Sequence, residues 1–176
     1  MLLIEAQRLA DFVVEHLKPY ADRIEVAGSI RRKRPEVHDI DIVLIPHGLP
    51  FIWPTYIERA MANIGATKVK GGEKLMQFAL RNQQVDLYRA SEEDWGMQLL
   101  RWTGSKEHNV KLCNRAISLG MKLAVSRGLE KDGKGIASRT EDDIFRALKM
   151  KYVPPEEREG VLVLEKPASS RGKEIK

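Results

Sequence analysis

The sequence predicts an α+β fold, with a mixed or antiparallel sheet that carries helices on one face, followed by a small lobe of helices and a β-hairpin. Two observations lead to this class. Residues 3–19 carry an amphipathic helical stripe formed by Leu9, Phe12, Val13 and Leu17. Residues 39–45 alternate two sets of side chains, as a strand does when its two faces have different surroundings. Further strand and helix patterns follow along the chain, with no internal repeat.

Composition bounds the class of protein. The chain has 176 residues, of which 43% are hydrophobic and 31% are charged, which is typical of a globular domain with a sizeable core. No run of about 18 apolar residues indicates a spanning helix, and the first residues do not resemble a signal peptide. The single cysteine, Cys113, excludes an internal disulfide and indicates a reducing, intracellular compartment. A net charge of +5 favours polyanionic partners.

The first 90 residues predict one helix pair and about five short strands. After the first helix, "RIEVAG" predicts a strand that ends at Gly28. The strand over 39–45 is predicted to end at Pro46. "TYIERAMANIG" predicts a helix that begins at Thr55. "ATKVK", "KLMQFALR" and "QQVDLYRA" then predict three strands, the last two joined as a hairpin through Asn82.

The next stretch predicts a smaller lobe. "SEEDWGMQLLRW" indicates a helix capped by Ser91, and "TGS" ends it. Residues 106–119 predict a second helix with Val110, Cys113 and Ile117 as its apolar stripe, so we expect Cys113 in the core and His108 at the surface. A hairpin turn between Lys131 and Lys134 follows, and then a helix with a Thr140 cap.

Two carboxylates interrupt an otherwise apolar strand. Asp39 and Asp41 share one strand face, and Asp86 lies on a separate strand with Gln84 and Tyr88 on its face. Burying carboxylates is costly unless a cation meets them. Oxygen ligands without a His or Cys cluster suit Mg²⁺, or Mn²⁺, rather than zinc. Three such acids could hold two ions about 4 Å apart, the arrangement used for phosphoryl or nucleotidyl transfer.

The turn before these acids supplies groups that suit phosphate. Gly28 lets the backbone approach a phosphate closely, and Ser29 offers a hydroxyl donor. Arg32 offers a planar fork of donors for phosphate oxygens. A D-x-D or a G-S-x-R-R alone is more often a surface feature, and only their combination, with Asp86, predicts a triphosphate site beside metal ions.

The stretch "GSIRRKRPEVHDIDIVL" resembles the signature of polymerase beta-type nucleotidyltransferases, G-S-x-x-R followed by D-x-D. "QVDLY", "LLRWTGSKEHNVKLCNRA" and "DDIFRALKMKYVPPEEREG" are similar to family X DNA polymerases specifically. The resemblance covers about residues 1–160 and implies a nucleotidyltransferase palm over 1–90, a nucleotide-selection (thumb) lobe over 91–153 and a tail over 154–176, which its polar, Pro-rich sequence predicts to be disordered. The chain begins directly with the palm and has no room for a lyase module or a nuclease domain, so we expect either a naturally minimal polymerase or a catalytic core cut from a longer protein.

The resemblance also implies roles for single residues. Asp39 and Asp41 would bind both metal ions, and Asp86 would bind the catalytic ion and help to activate the primer 3′-hydroxyl. Ser29 and Arg32 would hold the β- and γ-phosphates, with backbone room from Gly28. Asn109 would contact the incoming base, and Arg101 and Trp102 would pack against the incoming sugar. Gly104 would be the hinge of the T-G-S break.

Five residues depart from the family pattern. His38 stands where many members have Gly, and Gln84 stands where Arg is common. Arg101 replaces an aromatic residue or Gly, and Cys113 and Asn114 lie where an Arg often monitors the template. Separately, Lys68, Lys70 and Lys74 form a basic edge that could hold primer–template phosphates or could be an ordinary solvated face.

The sequence therefore predicts an enzyme, a DNA-directed DNA polymerase that adds nucleotides to a primer 3′-OH and releases pyrophosphate with two Mg²⁺ ions, in short-gap repair. We expect a monomer that acts on primer–template or gapped DNA and nucleoside triphosphates, away from membranes. One alternative is a small nucleotidyltransferase that modifies RNA, protein or a small molecule, which the T-G-S lobe disfavours. A non-enzymatic DNA-binding module is a third reading, which the three acids disfavour.

Overall fold

The structure, a computed structural model, describes residues 1–48, 51–124 and 128–159. Its helices are α1 (Leu3–Leu17), α2 (Gly28–Arg31), α3 (Trp53–Asn63), α4 (Trp95–Thr103), α5 (Lys106–Ser118) and α6 (Glu141–Ala147). Its strands are β1 (Ala21–Val26), β2 (Asp39–Pro46), β3 (Thr67–Gly71), β4 (Leu75–Leu80), β5 (Gln83–Arg89), β6 (Lys122–Ala124), β7 (Gly128–Lys131) and β8 (Lys134–Ala137). Short 3₁₀ helices lie at Lys18–Tyr20 and Pro155–Glu157.

The first part of the chain forms a five-stranded sheet in the order β1-β2-β5-β4-β3. The central strands β2 and β5 run parallel, and the other neighbours run antiparallel. The predicted hairpin over β4 and β5 is present, with Arg81 and Asn82 at positive φ in its turn. The α+β class with a mixed sheet is confirmed.

The two faces of this sheet have different coverings. On one face, α1 and α3 bury Ile40, Ile42 and Leu44 of β2 together with apolar residues of β5. On the other face, Trp95 and Leu99 of α4 cover Val43 and Ile45 at the carboxyl end of β2. The alternation places Asp39 and Asp41 on this second face, at the amino end of β2, where they line a cleft together with Trp102 of α4. The acids therefore lie beside the helix that leads into the second lobe.

The second lobe has its own core. The strands β6, β7 and β8 form an antiparallel sheet in that order, with the predicted turn at Asp132 and Gly133. Met97 and Leu100 of α4 pack with residues of α5, β7 and α6 in one apolar cluster. Because the opposite side of α4 packs on the palm sheet, this helix belongs to both cores and ties the lobes together.

The helix predicted to be capped by Ser91 begins instead at Trp95. The backbone N–H and hydroxyl of Ser91 donate to Oδ1 of Asp94 at 2.6 and 2.8 Å, so 91–94 forms a turn closed by Asp94. The acidic residues Glu92 and Glu93 lie in this turn and not in the first turn of the helix. The prediction was wrong because Ser and Asp side chains compete with helix formation by bonding nearby backbone groups.

The apolar stripe predicted for α5 is also wrong. Val110 and Ile117 are exposed, as is Cys113, and the buried side chains are His108, Leu112 and Ala116. His108, expected at the surface, is fully buried, and burial and the nearby charge of Arg158 lower its pKa to about 4. The side of α5 that faces the cleft is apolar, so its sequence pattern resembles that of a side that faces the core. This resemblance explains why the buried and exposed sides of α5 were predicted the wrong way round.

Part of the predicted tail packs on the folded chain. Val153 and Arg158 are buried, and Pro155–Glu157 forms a 3₁₀ helix between them. The remainder of the predicted disordered tail, 160–176, lies outside the described residues. Among the helices that the structure describes, none has the length and apolar character needed to cross a membrane.

Candidate active site

Three carboxylates converge at the centre of the palm sheet. Because β2 and β5 are parallel neighbours, Asp41 pairs in register with Asp86, and Asp39 is two residues away on the same face as Asp41. One carboxylate oxygen from each of the three acids lies within 4.8 Å of the others. Neighbouring strands thus create a cluster of oxygen ligands from residues about 45 positions apart in sequence.

This cluster is electrostatically unfavourable without a cation. Burial and the neighbouring carboxylate of Asp39 raise the pKa of Asp41 to about 7, and Asp86 adds to the rise. Hydrogen bonding by Tyr88 and the charge of Arg32 oppose this rise only partly. Burial and the nearby carboxylates of Asp41 and Asp86 raise the pKa of the Tyr88 hydroxyl. Tyr88 therefore stays a neutral donor.

Asp86 is held in place by side-chain donors. Gln77 Nε2 donates to its Oδ2 at 3.2 Å, Gln84 Nε2 lies 3.1 Å from both oxygens, and the Tyr88 hydroxyl donates at 3.3 Å. These partners are neutral, so they orient the carboxylate without cancelling its charge. A fixed, charged, oxygen-only set of this kind fits a hard divalent cation such as Mg²⁺ or Mn²⁺.

The raised pKa of Asp41 predicts a stability effect. A carboxyl whose pKa is higher in the folded chain than its ordinary 3.8 favours folding at low pH and opposes it as pH rises to about 7. Asp41→Asn should therefore stabilise the metal-free protein by about 2–4 kcal/mol near pH 8 and by much less near pH 4. Urea unfolding in the presence of a chelator measures both values. Equal stability of variant and wild type near pH 8 would refute this account of the site.

The turn before β2 folds onto the same acids. Gly28 has φ +58°, and a Cβ on it would lie 2.0 Å from Oδ2 of Asp41, so no other residue fits there without displacing the acid. Ser29 follows in the short helix α2, and its buried Oγ has no hydrogen-bond partner among the described residues. An unsatisfied buried hydroxyl beside a cleft is available to a ligand.

Arg32 lies at the end of this turn and is already engaged. Its Nη1 donates to the backbone oxygen of Thr103, and its Nε donates to Oε1 of Glu159 at 3.0 Å. Only 16% of its side chain is exposed. The guanidinium thereby reaches from the palm turn to the T-G-S segment of the second lobe.

A buried ion network anchors the same turn from behind. Arg31 forms a bidentate pair with Glu141, both bonds being 2.8 Å, and also donates to Thr103 Oγ1 at 2.7 Å. Arg158, fully buried, donates to the same carboxylate at 2.7 Å, and Tyr152 donates to it at 3.1 Å. Burial alone would raise the pKa of Glu141, but the bonds from Arg31 and Arg158 lower it to about 2.

These elements enclose a cleft of about 660 Å³ between the palm and the second lobe. Its volume is in the range of small-ligand sites. The predicted site residues that line it are Gly28, Ser29, Arg32, Asp39, Asp41, Arg101, Trp102, Gly104 and Asn109, together with His38, Cys113 and Asn114. Asp86 joins the cluster through its carboxylate.

The predicted sugar and base residues are packed with one another on one side of the cleft. The rings of Trp102 and Tyr88 stack with centroids 3.6 Å apart, and the Arg101 guanidinium lies 4.3 Å from the Trp102 ring. Asn109 Nδ2 donates to the backbone oxygen of Arg101 at 2.8 Å, which leaves its amide oxygen as an acceptor. Gly104 has φ +72°, which favours glycine at this break, and the Gly104–Ser105 peptide bond is cis.

The three predicted DNA-binding lysines do not join this cleft. Lys68 forms an ion pair with Glu58, and Lys70 is exposed on the edge strand β3. Lys74 lies at a separate cavity of about 390 Å³ that shares Arg101 and Trp102 with the main cleft. Their contact with DNA stays a prediction.

Sequence reasoning missed several participants. Tyr88 touches the acid cluster, and its strand face relative to Asp86 was a signal that could have assigned it. Gln77 could have been found from the hairpin register, which pairs it with Asp86. Thr103 and Glu159 are recognisable only in three dimensions, because they meet the turn through the packing of the second lobe.

Comparison with known proteins finds a family model that matches the second lobe and relatives that resemble most of the chain. Residues 98–159 match the family model described as DNA polymerase beta thumb. The chain is 28% identical over 161 residues to the DNA polymerase/3′-5′ exonuclease PolX of Bacillus subtilis (strain 168), an alignment that covers 88% of this chain and 28% of that protein. The chain therefore spans just over a quarter of the length of this relative.

The fold has a solved counterpart. A crystal structure of Leishmania infantum polymerase beta, described as a ternary P/T complex, superimposes with a TM-score of 0.76 at 22% identity. The superposition covers 90% of this chain and 76% of that one. The match to the thumb model, the similarity to PolX and the polymerase beta fold together confirm the resemblance to family X DNA polymerases that the motifs predict.

Proposed function

We propose that this chain is a DNA polymerase that adds nucleotides to a primer 3′-OH and releases pyrophosphate. The observation that carries the proposal is the meeting of three carboxylates with the Gly28–Ser29 turn and Arg32 around one cleft. Carboxylates suit divalent metal ions, and the turn suits phosphate oxygens. A site that combines both suits a metal-bound nucleoside triphosphate.

Each group has a defined task in this proposal. Asp39, Asp41 and Asp86 would hold two Mg²⁺ ions, which supply charge neutralisation of the phosphates and activation of the attacking hydroxyl when bound. Ser29 Oγ, which lacks an internal partner, would donate to a phosphate oxygen. Tyr88 and Gln77 would keep the Asp86 carboxylate oriented toward the primer end. Trp102, stacked on Tyr88, would form one wall of the sugar site.

The proposed partners are primer–template or gapped DNA and nucleoside triphosphates. The solved counterpart is described as a primer/template complex, and the chain has a net charge of +5. Positive charge supplies sequence-independent attraction to the phosphate backbone, so binding should weaken steeply with salt. We further propose that the protein acts as a monomer in short-gap repair inside the cell.

Extension assays with different acceptors test this function. The full chain is incubated with Mg²⁺, nucleoside triphosphates and a labelled acceptor, which is recessed, gapped or unpaired DNA, or an RNA strand. We expect extension of the recessed and gapped DNA by the nucleotide that the template specifies. Transfer to RNA alone, or addition without regard to template, would instead support a small transferase of the same superfamily.

Arg32→Ala should reduce kcat/KM for nucleotide addition about ten- to a hundredfold. A charge-assisted bond to a phosphate contributes roughly 1.5–3 kcal/mol, and this bond would be lost. Single-turnover extension with increasing nucleotide concentrations measures the change. Lys33→Ala is the matched control, since Lys33 neighbours Arg32 but does not line the cleft. An unchanged efficiency for Arg32→Ala would reject the triphosphate role.

A further inference from the structure

Three ion pairs join the end of the described chain to the basic turn 31–34. Glu156 Oε1 lies 3.3 Å from Nζ of Lys33. Glu159 Oε1 lies 3.0 Å from Nε of Arg32 and 3.7 Å from Nε of Arg34. Of the three cations, only Arg32 lines the cleft. Glu159 therefore neutralises a cation to which the proposed function assigns a triphosphate.

We propose that Glu159 is an internal counter-ion that competes with the nucleotide triphosphate for Arg32 and lowers nucleotide affinity. This inference rests on the proposed function of the cleft. Glu159 binds Nε and the Thr103 backbone oxygen binds Nη1, so two edges of the Arg32 guanidinium are occupied before any nucleotide arrives. A phosphate must replace the carboxylate, or share the cation with it, to gain the full charge-assisted contact.

The geometry allows Glu159 to leave Arg32 without disturbing the chain around it. Its side chain is 37% exposed, so water can solvate the carboxylate once the pair opens. Arg34 is close enough to keep the carboxylate when Arg32 turns toward a phosphate. The preceding residue is fixed, because Arg158 is fully buried and donates to Glu141 and to the Val153 backbone oxygen. The exchange therefore needs movement of the Arg32 and Glu159 side chains and leaves the backbone in place.

The same contact predicts selectivity for charged ligands. A triphosphate brings negative charge that replaces the carboxylate on Arg32, whereas an uncharged nucleoside brings none. Removing the charge of Glu159 should therefore improve the binding of a nucleoside triphosphate and leave the binding of the nucleoside unchanged. A general loosening of the second lobe would alter both ligands.

The experiment measures binding of dATP and of deoxyadenosine to the full chain, with Mg²⁺ and without DNA, by isothermal titration calorimetry. Glu159→Gln keeps the size of the side chain and removes its charge. We expect the Kd for dATP to fall about two- to fivefold, the range that corresponds to a partly exposed ion pair. Glu156→Gln is the matched control, because it removes the same charge from a pair whose lysine does not line the cleft. Its Kd should equal that of the wild type.

A double-mutant cycle locates the effect at Arg32. In the Arg32→Ala background, Glu159→Gln should no longer change the Kd for dATP. Weaker or unchanged dATP binding by Glu159→Gln, or equal tightening by Glu156→Gln, would overturn the inference. If Arg32→Ala weakens dATP binding while Glu159→Gln does not strengthen it, the inference alone fails. If Arg32→Ala leaves dATP binding unchanged, the phosphate role of Arg32 fails as well.

Discussion

Replacing Asp86 by asparagine is expected to reduce the rate of nucleotide addition by a factor of about 100 to 1,000 or more. The variant keeps the shape of the side chain and an oxygen that can accept from Gln77 and Tyr88. It loses the negative charge that would hold a metal ion and assist removal of the proton from the primer hydroxyl. The fold should therefore persist while the chemical step is lost.

Single-turnover extension of a recessed primer measures this loss, with circular dichroism as the check on folding. Asp132→Asn is the matched control, because it makes the same change in the exposed β7–β8 turn, where positive φ suits asparagine. That variant should extend primers at the wild-type rate. An Asp86→Asn enzyme with nearly wild-type extension in Mg²⁺ would remove Asp86 from the active site.

Replacing Glu141 by glutamine is expected to destabilise the protein by about 3–5 kcal/mol near pH 7. The change leaves Arg158, which is fully buried, without its counter-charge and breaks the bidentate pair with Arg31. The sign of the pH dependence follows from the low pKa of Glu141. Its stabilising contribution is complete above its ordinary pKa of 4.5 and is lost as pH falls toward about 2.

Urea unfolding of both proteins at neutral and acidic pH measures this contribution. Asp142→Asn is a suitable control, since Asp142 is the next residue of the same helix and pairs only with the exposed Arg146 among the described residues. An exposed pair contributes less than about 1 kcal/mol. Equal destabilisation by the two variants, or none by Glu141→Gln, would show that the buried network does not hold the lobes together.

The acid cluster was predictable because it depends on strand periodicity. Alternation fixes Asp39 and Asp41 on one face of β2, and the same rule gives the face of Asp86 on β5. What the alternation leaves open is which strands are neighbours. The resemblance to polymerase beta-type signatures assigned the three acids to one metal site, and the parallel register of β2 with β5 brings them together.

Other features were beyond reach of the sequence for identifiable reasons. Hydrophobic periodicity on α5 cannot separate a side that faces the core from one that faces a cleft. Cys113 was therefore predicted to be buried and His108 to be exposed, whereas the structure shows the reverse. The start of α4 was misplaced because Ser91 and Asp94 both satisfy the rules for a helix cap. The contact of Glu159 with Arg32 joins residues 127 positions apart, and no local pattern encodes it.

Single-nucleotide incorporation opposite each of the four template bases tests the central claim most directly. The full chain, Mg²⁺ and a primed template are supplied with one deoxynucleoside triphosphate at a time, and extended primer and released pyrophosphate are measured together. The account predicts equal amounts of both products, preferential use of the complementary nucleotide on every template, and no reaction with a primer that ends in a 3′-deoxy sugar. Pyrophosphate release without primer extension, or extension that ignores the template base, would contradict it.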